Sequence, residues 1–150
     1  MRTLITAALI LAAPLAAAQA PASPAPAAAL PRTASPPGAE AYIISPRDGA
    51  TVTSPVRVQF GLKGMGVAPA GVKFENTGHH HLLIDTDAPA DPGAPLPATD
   101  KIVHFGKGQT EASVPLSPGK HTLQLLLGDQ NHVPHNPPVI SGKITITVTR

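Results

Sequence analysis

The chain has 150 residues with no Cys, 19 Pro, 13 Gly, seven His, one Tyr, three Phe and no Trp. Without Cys there are no disulfides, thiol nucleophiles, iron–sulfur clusters or Cys-type zinc sites. Charged residues make up 13%, about half the usual share, the net charge is +2, and neither a basic stripe nor an aromatic platform for nucleic acid is present.

Met1-Arg2-Thr3 is a short basic start, followed by an apolar run from Leu4 to Leu15 and small residues through Ala20. This is the layout of a secretory signal peptide over residues 1–20, with Ala18-Gln19-Ala20 or Ala16-Ala17-Ala18 as the cleavage signal. The apolar run is too short to span a bilayer, so a periplasmic or secreted protein is expected, with no stable membrane insertion once the signal is removed. Residues 21–39 are Ala, Pro and Ser with few others, a composition that favours an extended spacer. The folded domain is expected over 40–150.

Within that domain, Ala41–Ile44 is a short apolar run closed by the turn cluster Ser45-Pro46-Arg47-Asp48-Gly49. Val56, Val58 and Phe60 alternate with Arg57 and Gln59, the period of a half-buried strand. Gly61 to Gly71 is rich in glycine and reads as a loop. Strands are expected over His79–Asp85, Ile102–Phe105, Gln109–Val114, His121–Leu127 and Lys143–Val148, and a long Asp/Pro/Ala loop over Thr86–Lys101. No window has a capped 3.6-residue apolar period. The pattern predicts an all-β protein, an immunoglobulin-like antiparallel β-sandwich, with a cupin-like jelly roll as the alternative.

All seven histidines lie between His79 and His135. On the His79–Asp85 strand, alternation places His80, Leu82 and Ile84 on the core face and His79, His81 and Leu83 on the other. Val103 and Phe105 are core candidates, which puts His104 on the same side as His79 and His81 if its strand lies alongside. His121 shares a face with Leu123, Leu125 and Leu127 and is expected to cap the core edge. His132 and His135 sit in a Pro-restricted loop that can close over a site on the strands. Neutral imidazole is a common metal ligand, so His79, His81 and His104 are the expected core ligands, with His132, His135 and Met65 as auxiliaries. Imidazole and oxygen donors suit copper or zinc, and Met65 supplies a soft sulfur for copper(I). Met65 as a hydrophobic gap-filler and lone histidines as hydrogen-bonded surface residues are the competing readings. Asp85, Asp87 and Asp91 lack the Gly and Glu of an EF-hand loop.

The motifs Gly64–Gly71, Gly78-His79-His80-His81-Leu82-Leu83-Ile84-Asp85, His104-Phe105-Gly106 with Gln109-Thr110-Glu111, Pro118–Leu125 and Gly128-Asp129 through His135 resemble a bacterial family of exported domains catalogued as a domain of unknown function. The resemblance implies a stand-alone exported domain and brings no activity or ligands with it. Two functions are expected from the residues: an exported His-rich module for copper or zinc, or a metal-free interaction domain for an exported or envelope protein. A third is a cupin-like metal enzyme using His79, His81, Asp85 and His121, although no G-x-S-x-G, H-E-x-x-H or P-loop pattern is present.

Overall fold

The computed structural model describes residues 30–150, and among these there is no helix. The expected signal peptide and the first part of the spacer lie outside the described residues. Among the described residues no helix is long and apolar enough to cross a membrane.

The described residues form nine strands in chain order: β1 (Glu40–Ser45), β2 (Thr51–Thr53), β3 (Val56–Lys63), β4 (Gly66–Val67), β5 (Thr77–Ile84), β6 (Ile102–His104), β7 (Glu111–Val114), β8 (Gly119–Gly128) and β9 (Ile144–Thr149). They form two sheets: a small one ordered β1-β3-β7 and a large one ordered β2-β9-β8-β5-β4, with β6 also paired to β5. The protein is thus an all-β sandwich, as the alternation predicts. The larger sheet is mixed rather than purely antiparallel, because β2 runs parallel to β9 and β4 parallel to the start of β5.

The stretch 61–71, expected as a loop, is corrected in its first half. β3 continues to Lys63, Gly64 turns the chain at φ 74°, and Gly66–Val67 becomes β4. Glycine tolerates that left-handed turn without a Cβ clash.

The sandwich core fills the space between the sheets. Val56, Val58 and Phe60 of β3 face Leu82 and Ile84 of β5, Leu123, Leu125 and Leu127 of β8, and Ile146 and Val148 of β9. Tyr42 lies across Gly61 of the neighbouring strand, where a Cβ would fall 2.2 Å from its ring.

The outer face of the large sheet is also covered, which alternation alone does not show. Leu83 and Leu126 point outward and pack with Leu96, Ile102 and Ile140 as a second apolar cluster. Leu96 belongs to the long 86–101 loop, whose backbone is tied down by Leu96 N–H donating to the His132 carbonyl at 2.8 Å. Side chains on this outer face therefore sit between a sheet and a layer of loops. The site is built in that layer.

Candidate metal centre

Four elements each deliver part of the site. His79 and His81 are two residues apart on β5 and share its outer face. His104 on β6 is the cross-strand partner of His81. His79 pairs with Gly128 at the end of β8, and the chain beyond Gly128 turns back to bring in His132. That turn is held by Asp129, whose Oδ1 accepts from Asn131 N–H at 2.8 Å and Val133 N–H at 3.0 Å. His132 N–H donates to the Asp129 carbonyl at 2.9 Å. His132 itself has φ 67°, a left-handed conformation uncommon outside glycine and worth a functional question.

The four rings are in mutual contact. From His79 the ring centres of His81, His104 and His132 lie at 4.8, 5.0 and 4.9 Å. His104 is 5.2 Å from His81 and 4.8 Å from His132, and the His81–His132 separation is 6.1 Å. His79, His81 and His104 can each offer a ring nitrogen such that the three lie within 4.8 Å of one another.

Glycines make room for the rings. A Cβ on Gly106 would sit 2.3 Å from His104 Cε1, and one on Gly128 would sit 2.8 Å from His81 Cε1. The loop ahead of β5 closes the flank: Ala70 N–H donates to the Gly106 carbonyl at 2.9 Å and Gly71 N–H to the Gln130 carbonyl at 3.0 Å. Residues 32–35, placed in the spacer by composition, reach the same turn. Thr33 Oγ1–H donates to Asp129 Oδ2 at 2.6 Å, and Arg32 Nε–H to the Pro134 carbonyl at 3.0 Å. Asp129 itself is only 1% exposed.

The histidines have been removed from water without being given partners. His79 and His81 are 0% exposed, and both ring nitrogens of each, together with His104 Nε2, find no hydrogen-bond partner in the protein. Leaving a buried donor or acceptor unmatched costs about 1–3 kcal/mol per group. Burial, then repulsion from His132 and His104, pushes the His79 imidazole down to about 4, with Asp129 opposing. Burial followed by repulsion from His79 and His104 pushes His81 down to about 3. His104 is also held below its ordinary value, by burial and then by His132. These shifts favour the neutral form of His79, His81 and His104 at physiological pH, and neutral imidazole is the form that ligates metal.

Met65 is partly buried and packs against the sandwich core, which fits its gap-filling alternative. His135 is buried beneath Gly78, its Nε2 3.3 Å from the Thr77 carbonyl oxygen, and the preceding Pro134 bridges to Gly128. His80 enters the core against Phe60, ring centres 5.2 Å apart.

His121 and Asp85 form a separate clamp between the ends of β5 and β8. Asp85 Oδ2 lies 2.7 Å from His121 Nδ1, and Asp85 Oδ1 accepts from Thr122 N–H at 2.7 Å. His121 Nε2 lies 2.9 Å from the Ser117 carbonyl oxygen. Asp85 chiefly, with Ser117, raises the His121 pKa, so this imidazole is suited to donate to both. With His121 and Asp85 engaged here, the cupin-like set His79, His81, Asp85 and His121 is not brought together. Clefts of about 470, 460 and 410 Å³ are lined by residues outside the histidine cluster.

The protein is a β-sandwich with His79 and His81 buried, and His104 and His132 half-buried, between its larger sheet and a covering loop. The model of the domain of unknown function DUF4399 matches residues 58–149, and the chain belongs to that family. The matched span contains all seven histidines. No curated protein and no solved structure shows a significant match to the chain.

Proposed function

We propose that this protein is an exported metal-binding module that takes up copper or zinc through His79, His81 and His104. The observation that carries the reading is the three neutral imidazoles whose nitrogens lie within 4.8 Å of one another and whose buried atoms lack protein partners. A coordinated ion would satisfy one nitrogen of each ring, the one that carries the lone pair. Export rests on the N-terminal layout of basic start, apolar run and small-residue cleavage signal.

The test is calorimetric titration of purified protein, stripped with a chelator, using Zn2+ and Cu2+ at neutral pH. One ion per chain with a dissociation constant of about 1 µM or tighter is expected, lost in the His79→Ala/His81→Ala variant. Absence of binding tighter than about 50 µM for either ion contradicts the reading. Capture of an envelope protein that survives the double substitution would favour the metal-free interaction domain instead. For localisation, the expected outcome is recovery of the processed chain from the periplasm or medium; retention of the full-length chain in the cytoplasm contradicts export.

A further inference from the structure

The loop residue His132 stands apart from the three strand histidines in how it is held, and its ring completes a figure. A metal–nitrogen bond of about 2.0 Å, with the ring centre about 1.1 Å further out, puts each imidazole centre roughly 3.1 Å from a bound ion. Four such ligands in a tetrahedron have ring centres about 5.1 Å apart for all six pairs. In a square plane, four pairs would fall near 4.4 Å and two near 6.2 Å. Five of the six separations here lie between 4.8 and 5.2 Å and the sixth is 6.1 Å. That is a tetrahedron stretched along one edge.

We propose that His132 is the fourth ligand, and that the site is a closed, tetrahedral four-imidazole centre for a divalent ion of zinc's kind. This rests on the metal-binding reading above and specifies its coordination. The turn is built for the purpose: Asp129 braces it with two backbone hydrogen bonds, Thr33 holds the second carboxylate oxygen, and His132 sits in the left-handed region at φ 67°. Imidazole ligands add no anionic charge to a bound dication, and Asp129, buried in the turn and acting on His79, is the acidic side chain nearest to hand. Bonded nitrogens in a tetrahedron lie about 3.3 Å apart, so the three within 4.8 Å of one another close in on binding, and His132, outside that set and 6.1 Å from His81 between ring centres, moves in to join them. Four protein ligands leave no open coordination position. Such a centre holds or carries an ion and does not turn over a substrate on it.

The experiment compares the full chain with His132→Asn, a substitution that keeps a residue tolerant of left-handed backbone. The probes are Co2+ optical spectroscopy, competition for Zn2+, and zinc X-ray absorption on the unsubstituted protein. Expected are intense four-coordinate cobalt bands and four imidazole scatterers in the unsubstituted protein. In His132→Asn the cobalt bands should weaken and Zn2+ affinity fall by about tenfold or more, with added imidazole restoring the bands. An unchanged cobalt spectrum and affinity in His132→Asn, or three imidazoles plus oxygen by X-ray absorption, overturns the proposal while leaving the three-histidine site intact. No ion bound by the unsubstituted protein overturns both. The X-ray absorption result decides the matter even if His132→Asn does not fold.

Discussion

Consecutive residues on β5 point to opposite faces, so His79 and His81 enter the loop-covered layer while His80 enters the core. His80 is 0% exposed, both of its ring nitrogens lack a partner, and burial pushes it down to about 4. It contacts Phe60 and gains nothing polar in exchange for its lost hydration. Replacing such a group with an apolar side chain of similar volume removes the penalty of unmatched polar atoms. His80→Leu is therefore expected to stabilise the fold by about 1–2 kcal/mol in denaturant unfolding, with zinc affinity unchanged. A destabilised His80→Leu would mean that His80 has a polar role that its surroundings do not show.

At the scale of elements, the cluster exists because β5 and β6 pair in a register that sets His81 opposite His104, and because glycines leave the rings their space. Gly106→Ala would place a Cβ 2.3 Å from His104 Cε1. The flexible end of the histidine yields more easily than backbone, so its ring should swing out of the cluster. The expected result is a loss of about tenfold or more in zinc affinity with little change in unfolding midpoint. Full retention of affinity would show that His104 is not a ligand.

These elements also show what could be read in advance. Strand parity is a local rule, and it placed His79, His81 and His104 together and His80 in the core. His132 has no strand parity to follow; its position depends on the Asp129 turn. The same loop bridges Pro134 to Gly128 and puts the His135 side chain under Gly78, a placement that also depends on tertiary contacts. Arg32 and Thr33 read as spacer because their neighbours are Ala, Pro and Ser, and their hydrogen bonds to the 129–134 turn span about a hundred residues of sequence. Met65 lies between two glycines, which give its side chain no strand parity, and its contacts with the core depend on the tertiary fold. Nor does alternation reveal that Leu83 and Leu126 meet a covering loop through Leu96, which is why the outer face is a buried layer.

For the whole molecule, the two kinds of histidine give pH effects of opposite sign. His79, His80 and His81 have folded pKa values of about 4, 4 and 3 against an ordinary 6.5. As the pH falls below 6.5, the unfolded chain takes up protons that the fold refuses, so stability should fall between pH 6.5 and about 4. The limiting slope is about 1.4 kcal/mol per pH unit for each such histidine. His121 is raised and Asp85 lowered, so their clamp contributes below 6.5 and is lost as the pH rises through the His121 value. Asp85 protonation removes the clamp at low pH. Denaturant titrations across this range check both signs: His79→Ala should reduce the acid-side slope, and His121→Ala should flatten the alkaline side. Acid-side stability independent of the buried histidines would contradict the burial argument.

Crystallographic anomalous scattering at the zinc absorption edge would show whether the histidine cluster is a metal centre. With the full chain grown in the presence of Zn2+, one strong peak per molecule is expected, about 2.0–2.1 Å from a ring nitrogen of each of His79, His81 and His104. A peak lodged elsewhere, or no peak among these rings at saturating zinc, would contradict it.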